Sequence, residues 1–180
     1  VFSPVLAICG LAIIVDSPGS PFFSQYRAGR NGVPFRLYKL RTMFVGSETK
    51  DVVIAKQHYD TMPPLKLQND PRVTKVGRFL RRWSLDELPQ FWNILRGDMS
   101  LVGPRPEEVW IVSGYTTNER ERLIVKPGLT GPMQISGRAD LDFDQRLACE
   151  LEYVQHYSIW KDVIILVKSI GIVISGKGAY

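Results

Sequence analysis

"RRWSLDELPQFWNILRGDMSLVGPRP", residues 81–106, places two neighbouring carboxylates, Asp86 and Glu87, between a cationic stretch and an apolar one. Ser84 followed three residues later by Glu87, ahead of Leu88, Phe91, Trp92, Ile94 and Leu95, predicts a capping box opening an amphipathic helix. That structural role would by itself explain the pair, and a chemical role can be layered on the same cap. Adjacent helical residues point about 100° apart, so this pair alone cannot face itself across a sugar as glycosidase carboxylates do. Both can approach a hard divalent cation such as Mg²⁺, which takes one or two carboxylates and completes its shell with water and phosphate oxygens.

Working outward, 180 residues make one ordinary domain that can bury a core without disulfides or metals. A net charge of +5 favours an anionic partner: nucleic acid, an acidic membrane surface or a phosphorylated small molecule. Cys9 and Cys149 are isolated, give no disulfide framework or metal spacing, and fit a reducing compartment. His58 and His156 are the only histidines and have no partners at metal or triad spacing, which argues against zinc and against a Ser/His/Asp hydrolase. Catalysis here must run on carboxylates and cations.

Upstream, Val1 to Val15 is uncharged, yet as a helix it would rise only about 22 Å against a hydrocarbon core of about 30 Å. Ser3 and Pro4 would break a helix arriving from further upstream, so the run reads either as a bent segment that dips into a membrane and returns or as a buried core helix. With no initiating methionine it reads as a fragment of a longer apolar segment. "FFSQYRAGRNGVPFRLYKLRTM" predicts two strands around an Asn31-Gly32 turn, with Phe35, Leu37, Lys39, Arg41 and Met43 on one face and two cations side by side. Residues 46–70 read as an irregular loop.

"DPRVTKVGRFLRRW" spaces Val73, Val76, Leu80 and Trp83 helically among five cations, as a basic interfacial helix or a solvated face would. Glycine and proline stretches put Arg105, Lys126 and Arg138 on loops whose amides can meet an anion. From Asp144 to about Ser175 the chain reads as helix with an interfacial, apolar end.

An aspartate ionised at neutral pH can attack phosphorus without a general base and form a reactive acyl phosphate. Arginines and Mg²⁺ compensate the meeting of two anions. With apolar ends and a basic helix, the residues point to a membrane enzyme handling a phosphorylated lipid.

"YKLRTM", "NDPRVTKVGRFLRRWSLDELPQFWNILRGDMSLVGPRP", "KPGLTGPMQISGR" and "YVQHYSIWKDVIIL" together resemble the bacterial sugar transferase family, the monotopic polyprenyl-phosphate phosphoglycosyl transferases. The resemblance implies transfer of a hexose 1-phosphate from a UDP-sugar to undecaprenyl phosphate, with release of UMP, by a ping-pong route that starts a surface glycan such as an exopolysaccharide, O-antigen or capsule. It implies Asp86 as the nucleophile that also meets Mg²⁺, and Glu87 assisting the metal or the lipid phosphate. Lys39, Arg81, Arg105 and Arg138 fall on motif cations that hold phosphates, and Asp162 on a motif acid of the last helix. Ser3-Pro4 matches the kink of a re-entrant helix entering from the cytoplasmic face of the bacterial inner membrane. Where the family carries an aspartate, three residues before "YV", this chain has Glu150, which keeps the charge and lengthens the reach.

The expected fold is α+β and mostly helical, with a small N-terminal β-hairpin, a truncated re-entrant helix (1–15) and a catalytic domain (16–180) resting on membrane lipid through interfacial helices. A homodimer stays open. The competing readings are a non-catalytic module that binds lipid headgroups, and a phosphotransferase using the same dyad on another donor. A nucleic-acid binder rests on charge alone and lacks any binding motif.

Overall fold

The computed structural model describes residues 3–47, 70–137 and 141–175. It is mostly helical, with one antiparallel hairpin at its centre. Helix α1 (Ser3–Asp16) leads into β1 (Phe22–Ala28), which pairs with β2 (Pro34–Leu40) from Phe22↔Leu40 to Ala28↔Pro34. The predicted turn is there: Asn31 and Gly32 take positive φ, 57° and 77°, inside a short 3₁₀ turn.

Helix α2 (Lys75–Arg82) starts at Thr74, whose hydroxyl accepts the Gly77 N–H at 2.9 Å. After α3 (Gln90–Leu95) comes β3 (Ser100–Val102), then α4 (Val109–Ser113) and α5 (Thr117–Arg120), then β4 (Gly128–Thr130) and α6 (Pro132–Ser136). Helices α7 (Phe143–Gln155) and α8 (Ile159–Ser175) close the described chain.

Small apolar clusters, each built on a strand or its end, hold these elements together. Cys9 and Ile13 of α1 pack with Leu40 and Leu80, so α1 is seated on the hairpin and on α2. Its helix continues to Asp16, whose carboxylate accepts the Val76 N–H at 3.0 Å. Phe35 and Leu37 pack on Met99 and Ile94, Ala28 on Ile111, Val112, Tyr115 and Leu123, and Val102 on Tyr153 and Ile165.

Four expectations are corrected. Ser84 does not cap a following helix: it takes left-handed angles (φ 54°, ψ 23°), makes no side-chain cap bond, and its N–H returns to Arg81 O at 3.1 Å. The residue that ends α2 cannot also be the extended N-cap of the next helix. Asp86 and Glu87 therefore sit in a 3₁₀ turn, Leu85–Glu87, and α3 begins only after Pro89.

Arg41 does not stand beside Lys39, because β2 stops at Leu40 and the Arg41 guanidinium donates to Ser17 O and Pro18 O, both at 2.7 Å. The glycine-rich stretches do place Arg105 and Lys126 on loops, but they are not wholly loops: β3 and β4 form a short parallel ladder, Ser100↔Gly128 and Val102↔Thr130. A Cβ at Gly128 would fall 2.1 Å from Gly103 N, so the close approach of the two backbones needs glycine there. The C-terminal helix is two helices, broken at 156–158, where Ser158 Oγ accepts the Lys161 N–H at 3.2 Å and starts α8.

Among the described residues no helix is long and apolar enough to cross a membrane. Large apolar side chains nonetheless face outward on α1 (Ile8 71%, Val15 84% exposed), on α3 (Leu95 80%) and along α8 (Trp160 75%).

Candidate active site

The dyad turn is set by three neighbours. Helix α2 ends immediately before it, β2 runs beside it, and the loop after β3 crosses its open side. Asp86 is buried, 8% exposed. Burial pushes its carboxyl above the ordinary value near 3.8, Glu87 pushes the same way, and Lys39, Arg81 and Arg105 pull it back. Glu87 is half-buried, and its Oε1 meets Lys39 Nζ at 3.1 Å and Arg105 Nη1 at 3.5 Å.

Arg81, in the last turn of α2, donates from Nε to Thr42 Oγ1 at 3.0 Å, and burial lowers its guanidinium pKa against the pull of Asp86. Below the turn, the fully buried Asn93 accepts the Tyr38 N–H at 3.1 Å and donates to Arg36 O at 2.7 Å, bolting α3 to the middle of β2.

An open cleft of about 270 Å³ lies against Glu87 and is lined by Lys39, Arg105, Arg27, Gln25, Gln90 and Leu129 among others. Of the sequence-predicted residues, the structure thus brings together Asp86, Glu87, Lys39, Arg81 and Arg105. Asp162 is elsewhere in its contacts: its Oδ1 accepts the Tyr153 hydroxyl at 2.7 Å beside the Val102 cluster. Ser3 and Pro4 are the first described residues of α1. Arg138 lies outside the described residues.

Gln25, Arg27 and Gln90 escaped the sequence reading. Gln25 and Arg27 pair with Leu37 and Phe35 and so share the Lys39 face of the hairpin, a signal that strand alternation on β1 carries. Arg27 is spoken for in part by Glu108 at 3.2 Å and Pro106 O at 3.5 Å. Cys9 and Cys149 are both free thiols, and no group of three or more His, Cys, Asp or Glu side chains clusters as a metal cage among the described residues.

A buried carboxylate flanked by cations, next to a second carboxylate that lines a cationic cleft, gives the protein a constellation able to meet phosphate oxygens. Its sequence places it more narrowly: the bacterial sugar transferase family profile matches residues 1–176, and the chain belongs to that family.

The chain is 45% identical over 183 residues to the galactosyl transferase CpsE of Streptococcus agalactiae serotype III, covering 97% of this chain and 40% of that protein. It is 42% identical to the UDP-glucose:undecaprenyl-phosphate glucose-1-phosphate transferase of Escherichia coli K12, covering 99% of this chain and 38% of that protein. It is 40% identical to the exopolysaccharide production protein ExoY of Rhizobium meliloti, covering 99% and 81%. The chain therefore spans about two fifths of the first two relatives and about four fifths of the third.

Proposed function

We propose that this chain is the catalytic part of a phosphoglycosyl transferase that moves a hexose 1-phosphate from a UDP-sugar to undecaprenyl phosphate. The observation that carries the reading is Asp86, buried in a turn between two helices and surrounded by Lys39, Arg81 and Arg105. Its carboxylate attacks the sugar-bearing phosphorus, forming an aspartyl phosphosugar as the bond to UMP breaks. A phosphate oxygen of the lipid then attacks the same phosphorus, and Asp86 departs as carboxylate. One phosphoanhydride replaces another, so the overall step is close to isoenergetic.

Lys39 and Arg105 hold Glu87 in place and lend positive charge to the cleft as the pyrophosphate enters. Arg81 offsets the charge of Asp86 from the α2 side. The donors fit Mg²⁺: two adjacent carboxylates suit an ion that takes most of its shell from phosphate oxygens and water. Asp86 and Glu87 would hold it, and when bound it would neutralise charge on the pyrophosphate. The outward apolar faces of α1, α3 and α8 suit burial in the headgroup region of a membrane, and the relative named as an exopolysaccharide production protein supports a role in making such a polysaccharide.

The test is intact-mass analysis of the full-length protein in lipid, incubated with Mg²⁺ and a panel of UDP-sugars without lipid acceptor, with UMP assayed alongside. An adduct of one hexose phosphate, matched by UMP and absent in Asp86→Asn, is expected. No adduct and no UMP from a folded protein with any donor would leave the lipid-binding module or another donor class in its place.

A further inference from the structure

Arg105 reaches the dyad from a loop, and the backbone of that one residue is gripped on both sides by a buried ion pair. Glu150 Oε1, on α7, accepts the Arg105 N–H at 2.9 Å, while Arg122 Nη2 donates to the Arg105 carbonyl at 2.9 Å. Glu150 is 1% exposed, Arg122 is buried, and their side chains are paired. Arg122 also donates to the Tyr115 hydroxyl at 2.6 Å and stands 3.7 Å from the Glu107 carboxylate. The next residues are tied to the end of β1, where the Ala28 N–H donates to Glu107 O at 2.9 Å and Arg27 pairs with Glu108. Pro104 and Pro106 flank Arg105 and restrict its neighbours' φ.

A buried ion pair is a poor source of net stability, because desolvation offsets most of its attraction. Its placement around the backbone of a single residue is therefore the informative feature. We infer that Glu150 and Arg122 are positioning residues that lock the backbone of Arg105, so that its guanidinium is aimed at Glu87 and at the phosphate beside it. Neither residue lines the cleft; both act through Arg105. This inference rests on the proposed phosphosugar transfer for its catalytic consequence and on geometry alone for the lock.

The experiment uses the full-length protein in lipid with four forms: wild type, Glu150→Met/Arg122→Met, which removes the acceptor of the Arg105 N–H, Arg105→Ala and the triple variant. Replacing both members leaves no charge stranded within the pair, and the Glu107 carboxylate that loses its Arg122 neighbour still reaches water. The first readout is hydrogen exchange across residues 103–108, where the Arg105 N–H stands alone between two prolines. The second is the rate of adduct formation.

Pair replacement is expected to speed exchange at Arg105 while the β1–β2 hairpin keeps its protection. It should also slow adduct formation about 10- to 100-fold, the scale of a misplacement near 1 Å, and have no further effect once Arg105 is alanine. Unchanged exchange at Arg105, or the same slowing with and without the Arg105 side chain, would overturn the inference. If wild type forms no adduct with any donor, the reaction reading fails and the exchange measurement still decides the lock. Should the double variant not fold, Arg122→Lys keeps the charge but loses the fork spanning Glu150, Tyr115 and the carbonyl, and the same two readouts apply.

Discussion

Gly77 lies in the middle of α2, where helix propensity alone favours alanine by about 1 kcal/mol. The structure reverses that sign. A Cβ at Gly77 would stand 2.1 Å from the Thr42 carbonyl oxygen, 2.8 Å from its carbon and 2.9 Å from its Cα. These are backbone atoms, and ordinary contact near 3.5 Å would require α2 to retreat by about 1.4 Å from the carbonyl oxygen. Retreat strains the Thr74 N–H bond to Thr42 O and the Arg81 Nε bond to Thr42 Oγ1, both 3.0 Å. Overpacking at about 1–3 kcal/mol and two weakened bonds at about 1 kcal/mol each, less the propensity gain, leave Gly77→Ala destabilised by about 2–4 kcal/mol.

For a domain of this size that lowers Tm by about 5–15 °C. Because Arg81 moves with the helix and adjoins Asp86, adduct formation should fall about 100-fold. Gly171, inside α8 with nothing within 4 Å of its would-be Cβ, is the control: Gly171→Ala should raise Tm by about 2–4 °C. Thermal unfolding of both variants in lipid decides the matter. A Gly77→Ala protein as stable as wild type, or more so, would refute the packing argument.

Asp86→Asn should abolish the adduct yet raise Tm at pH 7. Burial lifts the Asp86 pKa in the folded state, so the folded protein binds that proton more tightly than the unfolded chain; its stabilising contribution is present at low pH and is lost as pH rises through the folded value. The Tm difference between the two proteins should therefore shrink on acidification, and a lower Tm for Asp86→Asn at pH 7 would contradict the burial argument. Adduct formation should for the same reason fail on the acid side at a pH above the 3.8 of an ordinary aspartate.

Asp162→Asn keeps an acceptor for the Tyr153 hydroxyl, so adduct formation should stay within about twofold of wild type, about 0.4 kcal/mol in barrier. A loss beyond about tenfold at unchanged Tm would give Asp162 to phosphate binding instead.

The local grammar of the chain was readable. Asn31-Gly32 between two β-rich runs gave the hairpin, because only residues tolerating positive φ close it. Cationic and apolar spacing gave α2, and the family resemblance implied Asp86, Glu87, Lys39, Arg81, Arg105, Arg138 and Asp162 as one chemical set, of which the structure brings the first five together. Boundaries were less legible where one residue served two neighbours. Ser84 carries a capping-box signature, but the end of α2 claims it first, and no local pattern records that competition. Arg41 looks like the twin of Lys39 until the strand stops one residue early and three carbonyls after α1 take its guanidinium.

What the sequence by itself determined was the inventory of chemistry: which residue types could meet a phosphate, and that they lie in motifs of one family. Tertiary structure alone decided the geometry that makes them a site. Lys39, Glu87 and Arg105 are separated by 48 and 18 residues, and only the packing of β2, the dyad turn and the loop after β3 sets them within 3.5 Å. The same holds for Arg122 and Glu150, of which the sequence showed only that Glu150 stands where the family carries an aspartate; they become a clamp because both are driven out of water against the backbone of one residue. Contacts between distant segments depend on how whole elements pack, and a string of residues encodes that packing only collectively.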